Sequence, residues 1–459
     1  MGTLSLYPAF PLSLAIVEQM CYHKGNEREG GIEVPNAERV YMCIDLKSFY
    51  ASVEAVDRGL DPFHANLVVA DPARGKGAIC LAITPAMKAL GIRNRCRLYE
   101  IPPYVEYITA LPRMKKYMEI SADIYGVYLR YIAPEDIHPY SIDEVFIDAT
   151  PYLKLYGLTP KALAQKLMAA VMEETGICAT AGIGPNLFLA KIALDITAKH
   201  VDDHIGILDE SSFKHTLWRH QPLTDFWNIG PGITRRLARY GIYDLYGVAH
   251  TDEKLLYKEF GKNAEYLIDH AHGREPCTMA DIHAYTPSTS SISNSQILFE
   301  DYTYKDAFLV LKEMVDMLSL ELTEKHMLAK GIALQVGYSK DTDPPTGGSH
   351  KLDEPTSSYT ALAAEFDAIY RRTTRQATPI RRIGVALTDL VSEDMAEQQL
   401  TLFAPPVIDK KEKQLQSTMV ELKKRFGKNA ILRGMSLQEK ATARKRNQLI
   451  GGHNSGEQQ

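Results

Sequence analysis

Residues Tyr140 to Asp148 read Tyr-Ser-Ile-Asp-Glu-Val-Phe-Ile-Asp, an apolar strand pattern broken by two adjacent carboxylates. A strand inside a core does not carry a desolvated acid unless a cation or a metal lies beside it. Upstream, Val40-Tyr41-Met42-Cys43-Ile44-Asp45 is a second apolar strand ending on an acid, and the run Lys47-Ser48-Phe49-Tyr50-Ala51-Ser52 follows it. Three carboxylates on two strands suit a divalent-metal cradle. In a regular strand Asp143 and Glu144 point to opposite faces, so both reach one site only if a turn intervenes, and Tyr140-Ser141 is the place for it. By itself an Asp-Glu pair in a hairpin is more often a solvated turn than a metal site, and Asp148 reads as a turn residue.

A chain of 459 residues exceeds one ordinary core and calls for three or four modules of about 100 to 150 residues each. Hydrophobic content of 45% with 24% charged residues is that of a globular protein. No apolar run approaches the roughly 20 residues that span a bilayer. Leu4 to Val17 is short, contains Pro8 and Pro11 and lacks a basic flank, so no signal peptide or membrane role is expected and the cytoplasm is the expected location. Six cysteines without C-x-x-C spacing point to free thiols and away from a zinc knuckle. With a net charge of -5, any nucleic-acid contact must come from local patches. Arg93, Arg95 and Arg97 alternate; Arg235, Arg236 and Arg239 cluster; Arg371, Arg372, Arg375, Arg381 and Arg382 crowd together; and Lys410 to Arg446 is basic. Any one of these could equally be a solvated face. His200 and His204 have metal-like spacing, but Asp202 and Asp203 between them favour a polar loop.

Residues 1–39 show no clear period and read as an extension. From Val40 strands and helices alternate: a strand to Asp45 and a helix to near Gly59; strands Asn66 to Ala70 and Ala78 to Ile83 around a Gly-rich turn; a short helix stopped by Gly91. Tyr117, Ile120, Ile124, Val127 and Tyr131 recur at helical spacing, and Leu163, Leu167, Ala170 and Val171 mark another amphipathic helix. A strand over Ile177 to Ile183 and a helix over Leu187 to Ile196 come next. After His204 the pattern becomes short helices. From about Ser288 strands return (Ser290 to Phe299, Gly331 to Tyr338, Arg382 to Leu390) with helices Ala307 to Leu322 and Tyr359 to Tyr370 between them, which reads as a separate α+β domain. Lys340 to Gly348 reads as a loop between strands, and residues 404–459 as weakly ordered.

Three segments taken together carry a family resemblance. Cys43-Ile44-Asp45-Leu46-Lys47-Ser48-Phe49-Tyr50-Ala51-Ser52-Val53-Glu54, Tyr140-Ser141-Ile142-Asp143-Glu144 and Phe188-Leu189-Ala190-Lys191-Ile192-Ala193 resemble, in order, three motifs of the Y-family translesion DNA polymerases. The likeness runs over residues 40 to about 400. It is closest to the UmuC-like branch and its UvrX-like members, because Ala86-Met87-Lys88-Ala89-Leu90-Gly91-Ile92 follows that branch's fingers helix.

The resemblance implies an α+β multidomain fold shaped as a right hand. It assigns a ferredoxin-like palm to 40–65 and 104–204, small fingers to 66–103, a helical thumb with a helix-hairpin-helix to 205–280, an α+β little finger to 285–395, and a clamp-binding peptide with a basic tail to 396–459. Asp45, Asp143 and Glu144 become catalytic metal ligands for two Mg2+ ions, with the Leu46 carbonyl as a backbone ligand. Tyr50 falls where the family places a steric gate beneath the sugar, with Phe49 beside it. Lys191 and Lys88 fall at triphosphate contacts, although Lys88 stands where many members have arginine and loses the bidentate geometry. Pro85 replaces a fingers tyrosine, leaving Thr84 as the nearest hydroxyl, and Lys47 stands where several members have an acid. Trp227 to Leu237 resembles the helix-hairpin-helix, with Gly230 and Gly232 approaching a DNA phosphate and Arg235 and Arg236 adding charge. Arg381 and Arg382 lie in the little finger as DNA contacts. Gln399-Leu400-Thr401-Leu402-Phe403 looks like the peptide that binds the bacterial sliding clamp, with Gln399, Leu400, Leu402 and Phe403 as its contacts.

In function, the same resemblance implies a low-fidelity, template-directed DNA polymerase of DNA repair and the SOS response to DNA damage. Its partners would be primer-template DNA, a dNTP and the sliding clamp, with an accessory subunit left open. The alternatives are a catalytically silent DNA-binding and clamp-binding accessory protein, or a nucleotidyl cyclase with a similar palm, which explains neither the helix-hairpin-helix nor the clamp peptide.

Overall fold

Strand β1 (Tyr41–Leu46) is buried at every residue except Asp45, as a central strand covered on both faces must be. It belongs to the first of two units, Met1–Thr286 and Pro287–Gln459, of a computed structural model that describes residues 39–286, 291–339, 343–395 and 406–456. Helix α1 (Phe49–Val56) follows after Ser48, whose backbone adopts a left-handed φ of 50° and turns the chain sharply off the strand. A small sheet comes next, β2 (Leu67–Val69), β3 (Ala82–Ile83), the short helix α2 (Pro85–Ala89) and β4 (Ile108–Ala110). Its order is β3-β2-β4 with β2 and β4 parallel, so the insert expected at 66–103 takes its third strand from beyond residue 103. Val68, Ala70, Cys80, Ile83, Met87, Ile92, Cys96 and Ile101 form its separate core.

Helix α3 (Met114–Leu129) leads to β5 (Ile137–Pro139) and β6 (Glu144–Asp148), and helix α4 (Pro160–Thr175) to β7 (Ala179–Gly184). Helix α5 (Leu187–Ile192) runs into a π-helical turn at Ala193–Thr197, and β8 (Ile205–Ile207) completes the sheet. The order is β5-β6-β1-β7-β8, antiparallel except between β7 and β8. Alternation along β1 sends Tyr41 and Cys43 toward α5 and sends Ile44 and Leu46 toward Ser121, Ile124 and Tyr128 of α3. Glycines on β7 permit unusual closeness: a Cβ on Gly182 would sit 2.1 Å from the Ala190 carbonyl oxygen. Short helices follow, including α6 (Pro231–Ala238) and α7 (Ala264–Ala271), and share one core with Phe146, Phe188 and Trp227.

The second unit holds β9 (Ile292–Tyr302), helix α8 (Tyr304–Lys325), β10 (Met327–Tyr338), β11 (Thr346–Thr356), helix α9 (Tyr359–Thr373) and β12 (Ile380–Thr388). Its sheet is antiparallel in the order β11-β10-β12-β9. Two expectations need correction here. The stretch read as a loop to Gly348 contains the start of β11, an edge strand almost without buried residues, which therefore lacks the apolar alternation that marks a strand. The tail read as weakly ordered contains helix α10 (Pro406–Phe426) and the short helix α11 (Ala443–Arg446).

That tail is held by polar anchors rather than by an apolar stripe, and so it reads from sequence as solvent-facing. Gln416 is buried and donates to Ser319 O, Thr323 Oγ1 and Ser357 O. Glu412 accepts from the Thr360 backbone and hydroxyl at the start of α9, and buried Glu313 of α8 accepts from the Thr442 and Ala443 N–H groups.

Candidate active site

Register decides which acids meet. Asp45 lies directly opposite Glu144 in the β1–β6 ladder, so their side chains share the α5 face. Asp143 is outside the strand: the Tyr140 and Ser141 N–H groups both donate to Glu144 O, at 2.9 and 3.1 Å, and close the turn that the Asp-Glu adjacency requires. Leu46 N–H donates to Asp143 O at 2.9 Å, and Ser141 Oγ donates to Asp143 Oδ1 at 2.7 Å. Burial lifts the Asp45 carboxyl well above its usual range, and the negative fields of Asp143 and Glu144 lift it further. Asp45 is thus a buried carboxyl set among neighbouring negative charges.

Glu144 is held otherwise. Lys191 Nζ donates to its Oε2 at 3.0 Å and to Asp195 Oδ1 at 3.1 Å, and Cys43 Sγ donates to Glu144 Oε1 at 2.9 Å. Burial raises the Glu144 carboxyl, and Lys191 pulls it back. Burial would lower the Lys191 ammonium, but Cys43, Glu144 and Asp195 outweigh it and the net direction is upward. Lys191, expected at a triphosphate contact, is here a buried counter-ion of Glu144 and Asp195. The reason lies in helix placement: the glycine-permitted approach of α5 to β7 puts Lys191 under β6, and the π-turn brings Asp195 back to it.

Lys191 also acts on Asp45, and two further cations share that environment. The Lys88 ammonium is lowered by burial and feels Asp45, Lys199, Lys47 and Asp143. Lys47 Nζ lies 3.0 Å from His204 Nε2, so His204, expected in a polar loop, joins the edge of the site. Exposed Lys199 was missed. It stands eight residues after Lys191, and the wider π-turn between them hides the relation from any 3.6-residue count.

The Thr84 side chain, expected as the nearest hydroxyl of the fingers, is fully buried, donates to Ala65 O at 2.8 Å and accepts from Leu67 N–H at 3.1 Å, so its hydroxyl braces the small sheet.

Tyr50 is half-buried, with its ring stacked on Tyr117 at 4.6 Å and 5.7 Å from the buried Phe49 ring. Tyr117 OH donates to Glu54 Oε1 at 2.8 Å, and Glu54, fully buried, is gripped by Arg113 at 2.9 and 2.7 Å and by Arg58. Glu54 therefore stays ionised despite its burial.

Farther along, Trp227 Nε1 donates to Tyr140 OH at 3.0 Å, tying the segment before α6 to the acid turn. A Cβ on Gly230 or Gly232 would meet nothing within 4 Å, so internal packing does not require glycine at either position. Arg235 is exposed, whereas Arg236 is drawn to Glu259 at 3.7 Å and lies over Phe260. In the second unit Arg382 is exposed with Nε donating to Ser295 Oγ at 2.9 Å, and Arg381 lies 3.6 Å from Asp301. Gln399, Leu400, Leu402 and Phe403 lie outside the described residues.

Two family models match the chain: the impB/mucB/samB family over residues 44–195, and the impB/mucB/samB family C-terminal domain over residues 289–402. A protein of Bacillus subtilis (strain 168) named UvrX, a UV-damage repair protein, is 34% identical over 424 residues, covering 90% of this chain and 97% of its own. DNA polymerase IV 2 of the same organism is 33% identical, covering 91% and 99%. DNA polymerase IV 2 of Halalkalibacterium halodurans is 30% identical, covering 91% and 99%. Among solved structures, a Y-family DNA polymerase chimera, Dbh-Dpo4(243-245)-Dbh, shares the fold with a TM-score of 0.59 at 22% identity, covering 77% of this chain and 99% of that one. The chain belongs to the impB/mucB/samB family, the UmuC-like Y-family DNA polymerases.

Proposed function

We infer that this protein is a template-directed DNA polymerase that inserts deoxynucleotides opposite damaged template bases with low fidelity. The carrying observation is the junction of Asp45, Asp143 and Glu144 beside Lys47 and Lys88, with Tyr50 the second residue of the helix that follows Asp45. The donor set fits magnesium, since it is all oxygen. Among the described residues no group of three His, Cys, Asp or Glu side chains is arranged to hold a metal ion, so magnesium here would draw on substrate phosphates as well as on these carboxylates. Two Mg2+ ions held by Asp45, Asp143, Glu144 and the Leu46 carbonyl would activate the primer hydroxyl and neutralise the leaving pyrophosphate.

The chain's own groups supply the rest. Lys47, Lys88 and Lys199 attract the triphosphate as point charges. Lys191 and Asp195 hold Glu144 in place. The Tyr50 ring, braced by Tyr117, fills the space beneath C2′ of the incoming sugar. Gly230 and Gly232 leave the start of α6 open to a phosphate, and Arg235 and Arg382 add charge. Palm, small fingers, helical thumb and little finger are taken at the boundaries given above, with the fingers sheet closed by β4.

Primer extension on undamaged and abasic templates tests the reading. The double variant Asp143→Ala/Glu144→Ala should lose at least about a thousandfold in rate, the several kcal/mol a metal site supplies; incorporation that survives in it would defeat the mechanism and favour an accessory role. Docking of Gln399 to Phe403 on the sliding clamp is part of the same proposal. A pull-down should lose the clamp in Leu402→Ala/Phe403→Ala, and equal capture of variant and wild type would refute it.

A further inference from the structure

The acid turn is tied down from β1, from α3 and from the helical segment that follows the sheet. Leu46 N–H of β1 donates to Asp143 O at 2.9 Å, and Ser121 Oγ of α3 donates to Ile142 O at 2.5 Å. The last tie is the Trp227 indole N–H, which donates to Tyr140 OH at 3.0 Å across 87 residues of chain. Tyr140 N–H in turn donates to Glu144 O at 2.9 Å, so the residue the indole holds is bonded directly to the backbone of Glu144.

The rings around this bond leave it little play. Tyr140 stands edge-on to Phe146 at 5.4 Å and to Trp227 at 6.0 Å, and Phe146 and Trp227 are 5.7 Å apart. Phe146 lies two residues after Glu144 on β6 and so shares its face. Behind the indole, His270 of α7 stacks on Phe188 at 4.1 Å and faces Trp227 at 5.9 Å, and its Nε2 lies 2.9 Å from Glu275. Packing alone would be satisfied by phenylalanine at both positions. A paired indole N–H and phenol hydroxyl fix distance and direction as well. We propose that Trp227 and Tyr140 are positioning residues for nucleotide insertion: the indole holds the phenol, and the phenol holds the turn that presents Asp143 and Glu144. Gly230, three residues past Trp227, caps α6, so the brace joins the acids to the segment assigned above to a DNA phosphate. It rests on the polymerase reading and adds to it the residues that aim the acids.

Trp227→Phe and Tyr140→Phe each keep a ring and delete one side of the bond. In primer extension by the full chain each should lower kcat about tenfold, the scale of one hydrogen bond, and leave the KM for primer-template within about twofold. The double variant should be no slower than either single one, because both residues act through one bond. A dideoxy-terminated primer gives a readout without turnover: Mg2+-dependent retention of the next dNTP should weaken in the same variants. Trp218→Phe is the control, since Trp218 Nε1 donates to Ala271 O at 2.7 Å against the same core, and its loss should leave kcat unchanged. Tyr140 is half-buried, so Tyr140→Phe decides the matter by itself if Trp227→Phe fails to fold. Wild-type kcat or undiminished dNTP retention in either folded single variant, multiplied losses in the double variant, or an equal loss in Trp218→Phe overturns the brace. A wild-type chain that extends no primer would instead remove the polymerase reading.

Discussion

The side chain proposed to select the sugar is Tyr50, and its ring is braced through two further residues, Tyr117 and Glu54. Tyr117 lies flat against it, and Tyr117 is fixed by a fully buried carboxylate, Glu54, that takes two hydrogen bonds from Arg113. A ring free to swing would yield to a 2′ hydroxyl; a ring stacked on an anchored neighbour does not. Tyr50→Ala should therefore lose about a hundredfold in discrimination between dNTP and rNTP, the scale on which shape alone rejects one added hydroxyl. Single-nucleotide insertion measures it, and undiminished discrimination would remove Tyr50 from that role. Tyr50 was named through the family resemblance of the segment after Asp45. Tyr117 was not: in sequence it is one more apolar position of an amphipathic helix, and its partner Glu54 lies 63 residues away.

At the scale of elements, the site depends on how closely α5 lies on the sheet. The carbonyl of Ala190 occupies the space a side chain on Gly182 would take, and Ala193 O does the same at Gly206. Gly182→Ala must push α5 off β7, withdrawing Lys191 from Glu144. The expected result is a loss of stability of about 1–3 kcal/mol or more, typical of overpacking, together with a drop in extension rate. Chemical denaturation and primer extension on the same sample check both, and an unchanged midpoint would show that the helix can shift freely. The apolar period announced this helix, but not its π-turn, since an inserted residue changes no residue type. The edge strand β11 was hidden for the opposite reason: apart from Leu352 it carries almost no apolar side chain, because little covers it.

Across the whole chain, the family's C-terminal domain is matched only to residue 402, yet α10 and the segment after it fold back onto α8, α9 and β9. These anchors are polar and buried, so losing them strands Glu313 and the start of α9 without partners. Truncation after residue 404 should lower the melting temperature of the second unit by about 5–10 °C, as a loss of roughly 3 kcal/mol would. Calorimetry on the truncated chain beside the full-length one decides it; an unshifted transition would mean the tail is an ornament on a self-sufficient domain.

By itself the sequence determined the order of elements, the two strands that carry the acids, the turn that Asp143-Glu144 demands, and membership of a polymerase family, because motif spacing and apolar period are properties of neighbours along the chain. Only the tertiary structure decided which cation belongs to which acid. The resemblance set both Lys191 and Lys88 at triphosphate contacts, and helix placement buries the first beside Glu144 and sets the second near Asp45 with Lys199. Charge pairing depends on distances of a few ångströms between segments far apart in sequence, and packing alone sets those distances.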